Sequence, residues 1–270
     1  MKIHNREDIN AWLRHDTDFD DFYFCMAFAN TSWWHPHPHM AWNYVIAENN
    51  IKTDIHGNMF VVDLFDVPKN IIDELHRNGI KVICHFSAGT KEDWRTDAGQ
   101  FPSDGLGASN KNWTDETWVD IRNIQVRRIM RERIEHANRR HCDGVDPENV
   151  NGWEQNRAGL HLTPNDQLDY NRYLAQVAHA NGLAVGLKND VSQLSHLVVD
   201  FDFAINESCL ENHTCDLYEP FFRAGKPVFH VQYVNSIREG HQRKEEICSN
   251  RPPNMNTLIK VKMDNWKLAC

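Results

Sequence analysis

The chain has 270 residues, 41% hydrophobic and 25% charged, with a net charge of −9. That is apolar material enough for a sizeable core at a length common for one α/β barrel, which excludes global disorder. The negative charge argues against nucleic acid as the main partner, and no apolar run reaches the roughly 18 residues of a bilayer span.

In chain order, Phe22–Ala29 is a short apolar run, but Asp18, Asp20 and Asp21 precede it where a signal peptide would carry basic residues. It reads as a strand or packed arm. Residues 1–32, including Trp12–Ala29, are expected to form an N-terminal extension packed on a single domain spanning 33–270. His35-Pro-His37-Pro-His39 presents alternating imidazoles. Proline after the first two keeps the backbone extended, and no cysteine or carboxylate completes a ligand set, so no metal is expected. The segment reads as the lead-in to a first strand, Trp42–Ile46. Short β-branched runs follow at Met59–Phe65 and Ile80–Phe86, with helical spacing between them over Pro68–Arg77. Val119–Asn138 is predicted as a long helix, with Val126, Ile129, Met130, Ile134 and Ala137 on one face. Cys142–Pro147 reads as a strand. Thr163 or Asn165 caps the next helix, where Tyr170, Tyr173, Leu174, Val177 and Ala178 share a stripe, and Asn181-Gly182 ends it. Leu183–Leu187, Phe201–Ile205, Pro227–Val231 and Thr257–Val261 complete eight strand candidates. The alternation implies a parallel sheet, and eight units imply a closed (β/α)8 barrel, the TIM barrel.

In such a barrel, chemistry gathers at the carboxyl ends of the strands. Asp63 and Asp66 follow the second strand, Ser87 the third, and Asp146 and Glu148 mark the fourth. Lys188 and Asn189 follow the fifth, Asn206 and Glu207 the sixth, Gln232 and Tyr233 the seventh. Two carboxylates facing each other across the mouth suit glycosidic cleavage, one protonating the leaving oxygen and the other attacking the anomeric carbon or activating water. Glu207 directly follows an apolar strand, a placement that would desolvate it as a general acid needs. The plainer reading is an ion pair with Lys188 on the neighbouring strand end. Nine tryptophans are many for this length. Trp33, Trp34, Trp42, Trp94, Trp113 and Trp153 fall in loops or at strand ends, where indoles can stack on sugars, and about a third of them are expected to do so. There is no Walker-type or GxGxxG motif, so no nucleotide cofactor is implied, and no cofactor is expected.

Seven cysteines leave at least one unpaired or paired between chains. Cys209 and Cys215 are close enough for a small disulfide loop. Cys84 and Cys142, in apolar strand-like runs, are expected to be buried thiols. Asn30-Thr-Ser, Asn112-Trp-Thr, Asn206-Glu-Ser and Asn212-His-Thr fit the glycosylation sequon, and with the cysteine pair they lean toward a secreted protein.

Several ordered motifs resemble glycoside hydrolase family 114. They include Trp33-Trp34-x-Pro-x-Pro, Val62-Asp63-Leu64-Phe65-Asp66, Val82-Ile-Cys-His-Phe-Ser-Ala-Gly89 and Trp94-Arg95-x-Asp97. Trp118-Val-Asp120-Ile-Arg122, Cys142-Asp-Gly-Val145, Asp166-Gln-Leu-x-Tyr-Asn-Arg172, Gly186-Leu-Lys188-Asn189 and Asn206-Glu207-x-Cys209 continue the match, over residues 33–262. The resemblance implies a TIM barrel with endo-α-1,4-polygalactosaminidase activity on a partly deacetylated, hence cationic, galactosamine polymer. It places one catalytic carboxylate after the fourth strand, in a Pro-Asp-Asn-Val-Asp-Gly pattern, and a glutamate at the end of the sixth. Glu207 matches the second. The first reads Pro147-Glu148-Asn149-Val150-Asn151-Gly152, and Gln232 stands where an acidic residue is expected.

These residues together point to an endo-acting glycosidase with Glu207 as general acid/base and Glu148 as nucleophile. Asp146 is the second candidate for the strand-four carboxylate. Substrate contacts are expected from Asp63, Asp66, Trp42, Lys188, Asn189, Trp153, Gln232 and Tyr233. One rival is a carbohydrate-binding barrel without turnover, motivated by Glu148, Asn151 and Gln232. Another is a lyase using Lys188 as a Schiff base. If the ligand is a polycation, oligosaccharide binding should weaken as salt rises, and N-acetylated oligomers should bind less tightly. Titration of both at low and high salt checks this. Equal affinity at low salt would assign the charge to solubility alone.

Overall fold

The computed structural model describes residues 32–47, 50–111, 113–154 and 158–270, so residues 1–31 of the expected extension lie outside it. Eight parallel strands form the barrel: β1 (Trp42–Val45), β2 (Met59–Asp63), β3 (Lys81–Ser87), β4 (Gly144–Glu148), β5 (Ala184–Lys188), β6 (Phe203–Glu207), β7 (Val228–Tyr233) and β8 (Met255–Lys260). Each coincides with a predicted strand to within three residues at either end. Backbone ladders join neighbours from β1 through to β8, and Leu268–Ala269 adds an antiparallel pair on β8. Among the described residues no ladder joins β8 back to β1. That seam is crossed by other bonds: the Trp42 indole donates to the Asn256 carbonyl at 3.2 Å, Lys260 Nζ to Asn43 Oδ1 at 3.2 Å, and the Ala47 amide to the Met263 carbonyl at 3.1 Å.

Helices α1 (Lys69–Arg77), α2 (Ile124–Arg139) and α3 (Pro164–Ala180) cover the outside after β2, β3 and β4. Short helices α4 (Leu194–Leu197), α5 (Cys209–Asn212) and α6 (Glu219–Arg223) follow β5 and β6, and α7 (Ile237–Asn250) follows β7. Thr163 caps α3 through a reciprocal box with Asp166, and Asn181 with Gly182 ends it, as the sequence predicted. The long helix predicted from Val119 begins instead at Ile124, where Asn123 accepts from the Gln125 amide as N-cap. Glu116–Val119 is a strand, the centre of a three-stranded antiparallel sheet with Thr90–Glu92 and Leu106–Ser109, inserted between β3 and α2.

Side chains alternate along each strand, so every second residue enters the barrel. Lower in the barrel these are apolar: Met59 and Val61, Ile83, Ala184, Phe203 and Ile205, Phe229 and Val231. Gly186 sits in this column because a Cβ there would meet the Phe203 ring at 2.3 Å. Two residues further along the same columns come Asp63, His85, Glu148, Lys188, Glu207 and Tyr233, which ring the mouth.

Among the described residues three disulfides are present: Cys84–Cys142, Cys209–Cys215 and Cys248–Cys270. The second was expected. Cys84 and Cys142 are buried as expected but are bonded, not free thiols. Parallel pairing of β3 with β4 brings them together, with Cα atoms 6.0 Å apart. Asn206 is buried and its amide donates to Tyr218 Oη at 2.8 Å, so its sequon has no room for a glycan. The Cys84–Cys142 bridge closes 58 residues and Cys209–Cys215 only 6. Replacing both members by alanine should therefore cost about 4 kcal/mol at the first bridge and about 2 kcal/mol at the second, by loop-closure entropy. Guanidinium unfolding midpoints of the two double variants check the order.

Candidate active site

Parallel register assembles the site. β3 and β4 pair with His85 opposite Asp146 and Ser87 opposite Glu148. Asp146 and Glu148, two residues apart, share the inner face of β4. Each functional strand then ends on a left-handed residue: Asn149 (φ 60°) after Glu148, Asn189 (φ 51°) after Lys188, Ser208 (φ 61°) after Glu207. Non-glycine residues rarely adopt this region, and such positions gather at functional sites. Gly89 admits the Asn149 turn, since a Cβ at Gly89 would lie 1.8 Å from the Asn149 carbonyl oxygen.

Lys188, 1% exposed, is the centre of the cluster. Its ammonium donates to Tyr44 Oη at 2.6 Å and Glu148 Oε1 at 3.0 Å, and lies 3.3 Å from Glu207 Oε2 and 4.0 Å from Asp146 Oδ2. Burial would lower its pKa, but the charges of Glu148, Glu207 and Asp146 hold it well above the usual lysine value. A lysine held as the ammonium by three carboxylates is poorly placed to supply the free amine of a Schiff base, which counts against the lyase rival. His85 bridges the two carboxyl groups of β4, with Nδ1 2.8 Å from Asp146 and Nε2 3.0 Å from Glu148. Burial opposes its charge, yet Glu148 and the hydrogen bond to Asp146 push its pKa up to about 10. Burial would raise Glu148 in turn, but Lys188 and His85 hold it below the usual carboxylate range. Glu207 Oε1 accepts from Tyr233 Oη at 2.6 Å. Burial, then the Glu207 charge, keep that phenol protonated.

The cavity over these groups has a volume of about 450 Å³ and reaches from Glu148 and Glu207 past Asp63, Asp66, Arg95, Trp94 and Trp113. Carboxylates outnumber cations in its lining. Arg95 forks onto Asp63 at 2.6 and 3.0 Å and also reaches Glu92 and Asp66. The Asp63 carboxylate is thus occupied within the protein, while Asp66, bonded to Arg95 through one oxygen, stays half exposed to the cavity. Of the six tryptophans named from the sequence, Trp94 and Trp113 line the cavity, exposed by 53% and 59%.

Other expectations land elsewhere. Trp42 is buried at the amino end of β1, the far end of the barrel, because it begins its strand. It is core, not a sugar platform. Trp153, in the turn after Glu148, does not line the cavity. Asn189 spends its side-chain oxygen on the Glu207 amide at 3.1 Å and so fixes the β6 end. Asp146 is fully buried behind His85, with Oδ1 unpartnered among the described residues. Gln232 faces a neighbouring cavity. Trp33 stacks on His179 and bonds Asp202, and His35 pairs with Asp202, so the His-Pro segment belongs to the amino end. His85, Tyr44, Arg95 and Glu92 were not singled out from sequence. His85 could have been found as the next inward residue after Ile83.

A barrel mouth with two carboxylates on strands β4 and β6, sharing one ammonium under an open cavity, is an arrangement suited to a glycoside hydrolase. The family model of glycoside-hydrolase family GH114 matches residues 25–270, and the chain belongs to that family. Ega3 of Aspergillus fumigatus, solved in complex with galactosamine, is 34% identical over 89% of this chain and 98% of that one, with a TM-score of 0.82. The glycoside hydrolase domain of PelA from Pseudomonas aeruginosa shares the fold at 12% identity, covering 85% of this chain and 96% of that one, with a TM-score of 0.65. No curated protein matches the chain. No helix among the described residues is long and apolar enough to cross a membrane.

The raised His85 pKa has a stability consequence. Unfolded, an imidazole loses its proton near ~6.5, while the folded one keeps it to about 10. Its contribution is therefore complete below pH ~6.5 and is lost as pH climbs toward about 10, at up to ~1.4 kcal/mol per pH unit. The difference in unfolding free energy between wild type and His85→Gln should shrink over that window. Denaturant unfolding from pH 6 to 10 reads it, and a constant difference would contradict the bridging imidazolium.

Proposed function

We propose that this protein is an endo-acting glycoside hydrolase cleaving α-1,4-linked galactosamine polysaccharide through Glu148 and Glu207. The observation that carries this reading is the pair of carboxylates held within 3.3 Å of one buried ammonium beneath an acidic cavity. The galactosamine bound to Ega3, a relative over nearly the whole chain, supports the sugar class. The excess of carboxylates in the lining suits a polymer bearing free ammonium groups. Three disulfides fit an oxidising, extracellular setting.

The roles follow from what each group touches. Glu148, ionised by Lys188 and the His85 imidazolium, attacks the anomeric carbon. Glu207, once it has taken up a proton, gives it to the glycosidic oxygen as that bond breaks, and the carboxylate so restored is steadied by Tyr233 and Lys188. Water then enters, losing a proton to Glu207 as its oxygen displaces Glu148. The two oxygens lie 3.0 and 3.3 Å from one nitrogen, which keeps them nearer to each other than the ~6.5–9.5 Å of an inverting pair and favours a retaining course. Asp146 is a positioning residue that acts through His85. Trp94 and Trp113 offer faces for sugar rings.

A second reading has one observation in its favour. Glu148 is clamped by two cations at 3.0 Å each, which dulls a nucleophile, and the family pattern has the shorter aspartate there. A binding module without turnover would look the same. Incubation with deacetylated galactosamine polymer, read by product mass, should show a ladder of oligomers. Glu207→Gln and Glu148→Gln should each reduce turnover by at least about a hundredfold with folding intact. Glu148→Asp discriminates further. A faster variant shows that the longer side chain is a handicap. Binding without cleavage in both forms establishes the binding module.

A further inference from the structure

Two glycosylation sequons lie six residues apart where β6 ends, Asn206-Glu-Ser and Asn212-His-Thr. The fold treats them in opposite ways. Asn206 belongs to the strand and is 3% exposed. Both ends of its amide are used: Nδ2 donates to Tyr218 Oη at 2.8 Å and to Asn189 Oδ1 at 3.2 Å, and Oδ1 accepts from the Cys209 amide at 2.9 Å. A sugar joined to that nitrogen would remove a hydrogen that the network uses and would meet closed packing. Asn212 is the last residue of α5 and is exposed, as are Glu211 and His213 on either side of it. Among the described residues its side-chain amide has no hydrogen-bond partner. The loop is fixed without it. The Asn212 main-chain amide donates to the Ser208 carbonyl at 3.0 Å, His213 turns the chain in the left-handed region (φ 55°), and the Thr214 amide returns to the Cys209 carbonyl at 2.9 Å. The Cys209–Cys215 bridge closes the same segment.

We infer that Asn212 is an N-glycosylation site, carrying an oligosaccharide through N-acetylglucosamine, and that Asn206 is left bare. This rests on the extracellular setting proposed above and is independent of the catalytic roles. The donor is an oligosaccharide on a lipid pyrophosphate in a eukaryotic secretory pathway. Asn212 Nδ2 gives up a proton and bonds to the anomeric carbon of the first sugar. The bond from that carbon to the pyrophosphate oxygen breaks, and the lipid pyrophosphate leaves with the electron pair. Transfer acts on the chain before it folds, so burial decides the outcome afterwards. A chain modified at Asn206 cannot complete the end of β6, whereas one modified at Asn212 reaches the same fold with every loop bond in place. The sugar then stands on the solvent side of α5, a bulky polar cover over the small disulfide loop.

The test is peptide mapping of the full chain secreted from yeast behind a cleavable leader. Cutting the reduced protein after Glu207 and Glu211 places the two asparagines in different peptides. Residues 212–219 should carry an oligosaccharide that peptide:N-glycosidase removes, leaving aspartate at 212, and the peptide ending at Glu207 should be unmodified. Asn212→Gln and Thr214→Ala should each abolish the glycan, and Thr214→Ser should keep it. An unmodified Asn212 in secreted protein with its disulfides formed overturns the inference, and so does a glycan on Asn206. If wild type is retained in the cell, translation into microsomes decides: an Asn212→Gln chain one glycan smaller than wild type supports the site, and chains of equal size overturn it. Failure of wild type to cleave galactosamine polymer removes the catalytic reading and leaves the glycan map unchanged.

Discussion

The site depends on one charge in a place where charges are expensive. Lys188 has almost no exposure, and burying an ammonium is unfavourable by several kcal/mol unless partners replace its hydration. Here Glu148, Glu207, Asp146 and the Tyr44 hydroxyl do so. The dependence is mutual. Without Lys188, carboxylates on β4 and β6 would repel across the mouth. With it, and with the His85 imidazolium on the other side of Glu148, a negative cluster becomes the low-energy state of the folded chain. Electrostatic organisation is thus part of folding, and the sugar meets groups already oriented.

Much of this was legible beforehand. Short β-branched runs alternating with helical or turn segments placed all eight strands, and the rule that chemistry lies at strand carboxyl ends pointed to Glu148, Lys188 and Glu207 as candidates. What stayed hidden depends on which strands are neighbours and in what register. His85 matters because β3 pairs with β4 one residue in, facing Asp146. Cys84 bonds Cys142 for the same reason. Val119 extends an apolar pattern that looks helical, but it pairs with Leu106 of the neighbouring strand, and tertiary pairing outweighs local periodicity. Trp42 is a different matter: its place at the start of a strand already implied the far end of the barrel.

The left-handed residues after Glu148, Lys188 and Glu207 give the site its edge. A strand that continued would carry the next inward side chain further up and fill the mouth. Turning the backbone at Asn149, Asn189 and Ser208 ends the column on the functional group and diverts the chain outward. Asn189 then returns its side chain to the Glu207 amide, so the turn after one strand steadies the end of the next.

The seam between β1 and β8 has a consequence for how the molecule moves. Ladder bonds are cooperative with their neighbours, whereas the seam is held by separate bonds from Trp42, Lys260 and Ala47. Local opening follows the weakest boundary. Amide hydrogens of β1, which has a ladder on one side only, will exchange with solvent sooner than those of β4 to β6, which are flanked by ladders on both sides. The barrel can breathe along one line while the strands carrying Glu148, Lys188 and Glu207 stay in register, so the least stable part of the ring lies away from the ladders that align Glu148 with Glu207.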